Sequence, residues 1–170
     1  MLSVLIMTRN SEKPLAQTLS ALVSAVVEGL LRRVVVADSG SSDATRLVAE
    51  GAGCSLYDAK DLPKAFDDLR TQWLLVLKPG AILQDGWEDA VRRHMESGKA
   101  PARFSTPHDS GLVGRFLGAK PSLDAGLLAP VLVIRPLIRD GGIPPVVIKQ
   151  LKPVRLSHPI LPPETTKGGA

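Results

Sequence analysis

Three short runs in the first half of the chain are apolar at every position, and this restricts the fold more than any other feature. They are Val4-Leu5-Ile6-Met7, Val34-Val35-Val36-Ala37 and Trp73-Leu74-Leu75-Val76-Leu77. A strand with one wet face alternates polar and apolar residues. A strand apolar throughout needs cover on both faces, as in a parallel sheet between helices. Ser55-Leu56-Tyr57 is a weaker strand of the same kind.

Helical patterns separate these runs. Asn10 and Ser11 are candidate N-caps, and Pro14 suits a first helical turn. Leu15, Leu19, Leu22, Val23, Val26, Val27, Leu30 and Leu31 then step by three and four, which predicts one long helix. A second helix is predicted from Asp43 to Glu50, ending at Gly51 or Gly53. A third spans Leu62 to Arg70, and a fourth opens at Gly86-Trp87 and reaches about Met95, with Gly98 as its stop. The order β-α-β-α-β-α-β-α predicts an α/β fold.

Beyond residue 100 the pattern loosens. Ala102 to Ser105 is expected as a strand, Leu112 to Leu117 as a short helix, and Val131 to Ile134 as a buried strand. A helical turn and Gly141-Gly142 follow, Pro144-Pro145 restarts the chain, and Val154 to Leu156 is expected as an edge strand. Pro162 to Ala170 reads as a loose tail.

Composition limits the function classes. The chain has 170 residues, 44% hydrophobic and 22% charged, enough for a core that 4% aromatics leave mainly aliphatic. A net charge of +4 gives mild attraction to anions. The basic residues form no long run and few aromatics interleave with them, so nucleic acid is disfavoured as a partner. Cys54 is the single cysteine, which rules out an intrachain disulfide and fits a reducing cytoplasm. Met1-Leu2-Ser3-Val4 carries no basic leader, so no signal peptide is expected. The stretch from Ala125 to Ile138 is interrupted by Pro130, Arg135 and Pro136, too short and broken to span a bilayer of about 30 Å. A peripheral membrane contact through the basic surface and a protein partner are both compatible with this composition.

Ligands of parallel α/β sheets bind beyond the carboxyl ends of the strands. Three loops leave those ends: Thr8-Arg9-Asn10, Asp38-Ser39-Gly40-Ser41-Ser42-Asp43, and Lys78-Pro79-Gly80. Asp38 could accept hydrogen bonds from a base or ribose, and Gly40 would let a ligand approach the backbone closely. Ser41, Ser42 and Asp43 stand where a helix begins, with amides expected to point into the cleft. The alternative is that Ser42 or Asp43 only caps that helix. His94, His108 and His158 lack metal-like spacing and are expected at the surface. Cys54 is expected as a small buried residue. Asp67 and Asp68 are adjacent, so on a helix they diverge.

Ser3 to Asn10, followed by Val34-Val35-Val36-Ala37-Asp38-Ser39-Gly40-Ser41-Ser42-Asp43-Ala44-Thr45, resembles the start of family 2 glycosyltransferases of the GT-A fold. Trp73 to Leu77 is similar to that family's strand before an Asp-x-Asp, and Leu83-Gln84-Asp85-Gly86-Trp87 to the Gly-Trp opening its next helix. A weaker likeness covers Leu128 to Gly142, with Val133-Ile134-Arg135 and Gly141-Gly142. The resemblance implies a three-layer α/β/α sandwich with a mostly parallel sheet. It implies one domain over residues 1–160, divided into a nucleotide-binding half, 1–92, and a reduced acceptor half, 93–160, before a flexible tail, 161–170.

The resemblance also implies a nucleotide-binding set of Thr8, Arg9, Asn10, Glu12, Asp38, Gly40, Ser41 and Asp43. In it Thr8 matches the Thr of the first motif, and Asp38 matches the Asp that reads the donor's base. Met7 replaces the usual Pro and Arg9 the usual Tyr. Family members bind Mn²⁺ or Mg²⁺ through the Asp-x-Asp; Lys78 and Gly80 stand at those positions here. No metal site and no cofactor are therefore expected, and Lys78 is a candidate contact for the diphosphate. No acid follows Gly141-Gly142, where the family carries its general base, and the catalytic residues stay unassigned. The implied function is binding of a nucleotide-sugar donor, with transfer of the sugar to an acceptor. The alternative is a catalytically inactive pseudo-glycosyltransferase serving as a binding or assembly module.

Overall fold

The structure is a computed structural model that describes residues 1–67, 69–98, 100–107, 122–138, 143 and 145–164. Asp68, His108, the helix expected over 112–117, Asp140, Gly141-Gly142 and Pro144 lie outside the described residues.

Among the described residues eight strands form one sheet in the order β3-β2-β1-β4-β7-β6-β8-β5. They are β1 (Leu2–Thr8), β2 (Leu31–Asp38), β3 (Ser55–Asp58), β4 (Trp73–Leu77), β5 (Ile82–Leu83), β6 (Ala102–Ser105), β7 (Leu127–Pro130) and β8 (Val154–Leu161). The runs that are apolar throughout fall at the centre. β1 pairs in parallel with β2 on one side and β4 on the other, and β2 pairs in parallel with β3. Beyond β4 the sheet becomes mixed: β7 is antiparallel to β4, while β6 and β8 run parallel to each other.

Seven α-helices accompany the strands among the described residues: α1 (Glu12–Ser20), α2 (Val23–Val27), α3 (Thr45–Gly51), α4 (Leu62–Asp67), α5 (Trp87–Ser97), α6 (Val131–Ile134) and α7 (Pro145–Leu151). They divide between the faces. On one face the strand residues Val4, Ile6, Leu75 and Leu77 pack under Leu15, Ala25, Ala49, Trp87 and Val91. On the other, Leu5, Val35, Leu74 and Val76 pack under Leu62, Phe66, Val131, Ile134 and Ile148. Alternate residues of one strand thus enter opposite cores, which is why these strands show no polar alternation.

Two expectations are corrected and a third is extended. The long helix after β1 is two helices. The Leu22 amide bonds Leu19 O, three residues back, and the stripe of valines then turns outward: Val23 and Val26 are 57% exposed and Val27 82%. Gly29, at φ 69°, stops α2, so Leu30 and Leu31 lead into β2 instead of extending the helix. The buried strand expected at Val131–Ile134 is helix α6, and the strand is the preceding Leu127–Pro130. Pro130 supplies no amide to continue the ladder. The chain bends there, Val131 N–H bonds Gln72 O at 2.9 Å, and Val131 and Ile134 face inward one turn apart. Finally, the edge strand expected at Val154–Leu156 runs on to Leu161: Val154 and Arg155 pair with β6 alone, the register with β6 shifts before Pro159, and Ile160 and Leu161 pair with β5. β8 runs to Leu161, and Pro163 then lies against Gly80.

Candidate nucleotide-binding site

β1, β2 and β3 end level with one another. Thr8 is the register partner of Asp38, and Asp38 of Asp58, so three polar side chains stand in a row across the strand exits. The Thr8 hydroxyl donates to Asp38 Oδ1 at 2.9 Å. Asp38 Oδ2 accepts the Ser41 amide at 2.9 Å, while Oδ1 also accepts the Ser41 hydroxyl. Arg46, in the first turn of α3, reaches Asp38 Oδ2 at 3.5 Å and Asp58 Oδ1 at 3.1 Å. A carboxylate offers about four lone-pair positions, and these contacts occupy them. Asp38 is 1% exposed. Burial pushes its carboxyl up, but the bonds from Ser41, Thr8 and Arg46 outweigh burial and hold it below its ordinary value.

The loops after β1 and β2 are stitched together by side chains. Asn10, at φ 48°, donates its amide to Ser41 Oγ at 2.8 Å, and its side-chain oxygen accepts the Ser42 amide at 2.8 Å. Asn is among the few residues that tolerate that backbone region. The Ser11 amide donates to Thr45 Oγ1 at 2.7 Å, and the Glu12 amide to Asp43 Oδ2 at 3.2 Å. Asp43 also accepts the Thr45 amide at 3.0 Å and its hydroxyl; the hydroxyl, ahead of the two amides, holds the Asp43 carboxyl below its ordinary value. The amides of Ser41 and Ser42, expected to face the cleft, are therefore spent on Asp38 and Asn10. Asp43 is the residue that secures the start of α3, since its N-cap Ala44 offers no side-chain bond.

Of the residues singled out from sequence, Thr8, Asn10, Asp38 and Ser41 are joined in one hydrogen-bond network, and Asp43 and the Glu12 amide in a second beside it, through Thr45 and Ser11. Arg9 and Gly40 are exposed beside it, Gly40 at φ 79°. Lys78 stands at the exit of β4, the strand on the other side of β1. Its Nζ is 2.6 Å from Asp124 Oδ1, in a short turn (Leu123–Ala125) before β7. Arg46, Asp58 and Asp124 were not singled out from sequence. Asp58 could have been, because it ends β3 as Asp38 ends β2. Nothing local marks Asp124, which meets Lys78 only through the fold. Two hollows lie elsewhere: a groove of about 840 Å³ flanked by Gln17, Ser20, Gln84 and Asp85, and one of about 290 Å³ beside Phe66 and Arg135.

The remaining candidates have structural surroundings. His94 Nε2 is 2.9 Å from Ala100 O, and its ring meets Trp73 edge-on. His158 Nε2 is 2.9 Å from Gln84 O. Both keep intermediate exposure at the surface. Burial pushes the Cys54 thiol up to about 11. Asp67 pairs with Arg135. Among the described residues no three His, Cys, Asp or Glu side chains are grouped to hold a metal, and no helix is long and apolar enough to cross a membrane.

The open mixed sheet between two helical layers is a GT-A fold. The family model for glycosyl transferase family 2 matches residues 3–68, the segment that holds Thr8, Asp38 and their loops. Glucosyl-3-phosphoglycerate synthase from Mycobacterium tuberculosis superposes with a TM-score of 0.73 at 13% identity, covering 98% of this chain and 73% of that one. The same enzyme in complex with Mn²⁺, UDP and phosphoglyceric acid gives 0.67 at 15% identity, covering 89% and 62%. Mannosyl-3-phosphoglycerate synthase from Rubrobacter xylanophilus gives 0.58 at 15%, covering 79% and 55%. The chain thus spans less than two thirds of two of these structures. None of the curated proteins matches its sequence. The chain thus has the GT-A fold, and its segment 3–68 is similar to glycosyl transferase family 2.

Proposed function

We propose that the chain binds a nucleotide-sugar donor at the joined loops after β1 and β2. The nucleoside lies against Thr8, Arg9, Asn10, Asp38 and Gly40, and the diphosphate extends toward Lys78. The observation that carries this reading is the Thr8–Asp38 bond at paired strand ends, inside the segment that matches the family. The structurally similar synthase binds UDP, which makes a uridine donor the first to test. Asp38 has its lone pairs taken, and the contact to Arg46 at 3.5 Å is its longest. A base N–H displaces that contact before the others, leaving Arg46 on Asp58. Glu12 and Ser41 then act by fixing the loops, and Asp43 by holding α3. The single cysteine fits a reducing compartment such as the cytoplasm.

Calorimetric titration with UDP-glucose and other nucleoside-diphosphate sugars tests the proposal. Binding in the range of about 1–100 μM is expected, a ΔG near −5 to −8 kcal/mol. Asn10→Ala, which breaks a contact between the loops, should weaken it, with circular dichroism confirming the fold. Failure of every nucleotide to bind the folded wild-type protein overturns it.

A second reading, a binding module without transferase activity, is favoured by one observation. Lys78 and Gly80 replace the acids expected after β4. Nucleotide binding without turnover of any donor, together with a stable complex with one defined protein partner, supports it; transfer of sugar to any acceptor rejects it.

A further inference from the structure

We infer that Lys78 supplies the positive charge that meets the donor's diphosphate, that Asp124 holds Lys78 until the phosphate displaces it, and that donor binding needs no divalent cation. The inference rests on the nucleotide-binding reading above and deepens it.

Position comes first. Ile6 pairs with Leu77, so Lys78, the first residue past β4, comes level with Met7 of β1, one residue before Thr8. Lys78 therefore leaves the strand adjacent to the one that ends in Thr8. The ion pair is accessible: the Lys78 side chain is 44% exposed and the Asp124 side chain 46%. Exposed pairs contribute little net stability, so a phosphate oxygen can take the place of the carboxylate at little cost.

The residues at this strand exit do not suit Mn²⁺ or Mg²⁺, which require several oxygen ligands. A protonated Lys78 has no lone pair to give. Gly80 has no side chain, and an acid could not simply be restored there. Its φ of 90° is strained for any residue with a Cβ, and a Cβ would stand 3.4 Å from Pro163. The Gly80 amide is bound to Pro14 O at 3.0 Å and to Thr18 Oγ1 at 2.9 Å, which locks the turn onto α1. Among the described residues the carboxylate paired at this exit is Asp124, whose partner is Lys78.

Opposite consequences follow for the two partners. Removing Lys78 takes away the attraction for the diphosphate. Removing the Asp124 charge frees Lys78 and removes a competitor. A lysine is a single point charge without bidentate geometry, so its effect should be modest and strongly screened by salt.

The test is calorimetric titration of UMP and UDP into wild type, Lys78→Met and Asp124→Asn, each in EDTA and in Mn²⁺. In wild type UDP should bind about tenfold more tightly than UMP, in the range of one charged contact, and equally in EDTA and in Mn²⁺. Lys78→Met should erase the difference between UDP and UMP. Asp124→Asn should tighten UDP, not UMP, by about three- to tenfold. The inference is overturned if Mn²⁺ strengthens UDP binding tenfold or more, if Lys78→Met leaves the difference intact, or if Asp124→Asn leaves UDP affinity unchanged. UMP and UDP binding equally to wild type would sink this inference alone. Neither binding would sink the nucleotide reading with it.

Discussion

Thr8 and Asp38 are joined twice: they are register partners at the ends of β1 and β2, and the Thr8 hydroxyl donates to the Asp38 carboxylate at 2.9 Å. The bond is buried and its acceptor is charged, so it contributes more than an average hydrogen bond. Thr8→Val keeps the shape and removes the donor. It should cost about 1–3 kcal/mol, measured by urea denaturation, and Thr8→Ser should recover most of the loss.

Acid should act through the same carboxylate. Burial raises the Asp38 carboxyl, and the bonds from Ser41, Thr8 and Arg46 more than offset it, so the folded value lies below the 3.8 of the free side chain. The unfolded chain therefore takes up the proton first as pH falls. The contribution of Asp38 to stability is complete above the unfolded value and is lost as pH falls through the folded one. Urea midpoints should decline below about pH 4. In Asp38→Asn, less stable at neutral pH, that decline should be shallower; an unchanged slope would show that other carboxylates govern it.

Gly80 should resist substitution. Its φ of 90° would put a methyl group on a strained backbone, with Pro163 at van der Waals distance, 3.4 Å. Gly80→Ala should destabilise by about 1–2 kcal/mol, read as a shift in thermal midpoint. Gly40, also at positive φ but with nothing within 4 Å of an added Cβ, should show the backbone part of that cost alone.

Cys54 should be slow to react. Burial pushes its thiol from an ordinary 9.0 up to about 11, so at about pH 8 the thiolate is about a hundredfold scarcer than in a free thiol. The more basic thiolate is also the stronger nucleophile, so labelling by iodoacetamide should be slower by about tenfold in the native protein and should reach the free-thiol rate in denaturant.

The central strands were legible because burial on both faces leaves a sequence no alternative. Trp73–Leu77 was read to the residue, and the motif segments around Thr8 and Asp38 led directly to the fold that the comparisons bear out. Legibility fell where tertiary packing overrides pattern. Leu127–Ile134 is one apolar run, and only the pairing of Leu127–Pro130 with β4 decides which half is strand. The bend between α1 and α2 is equally hidden, because the leucine and valine spacing continues through it. At the site, the loops carried recognisable polar residues, whereas Arg46 and Asp124 matter through contacts made by folding. Lys78 and Asp124 stand 46 positions apart, and nothing in the sequence between them signals that the two will meet.

Crystals of the protein grown with UDP test the central claim most directly. The account predicts the uracil and ribose against the loops of Thr8–Asn10 and Asp38–Ser41, with the Arg46–Asp38 contact opened and the diphosphate on Lys78. A nucleotide bound elsewhere on the molecule, with Asp38 still closed in by Ser41 and Arg46, would contradict it.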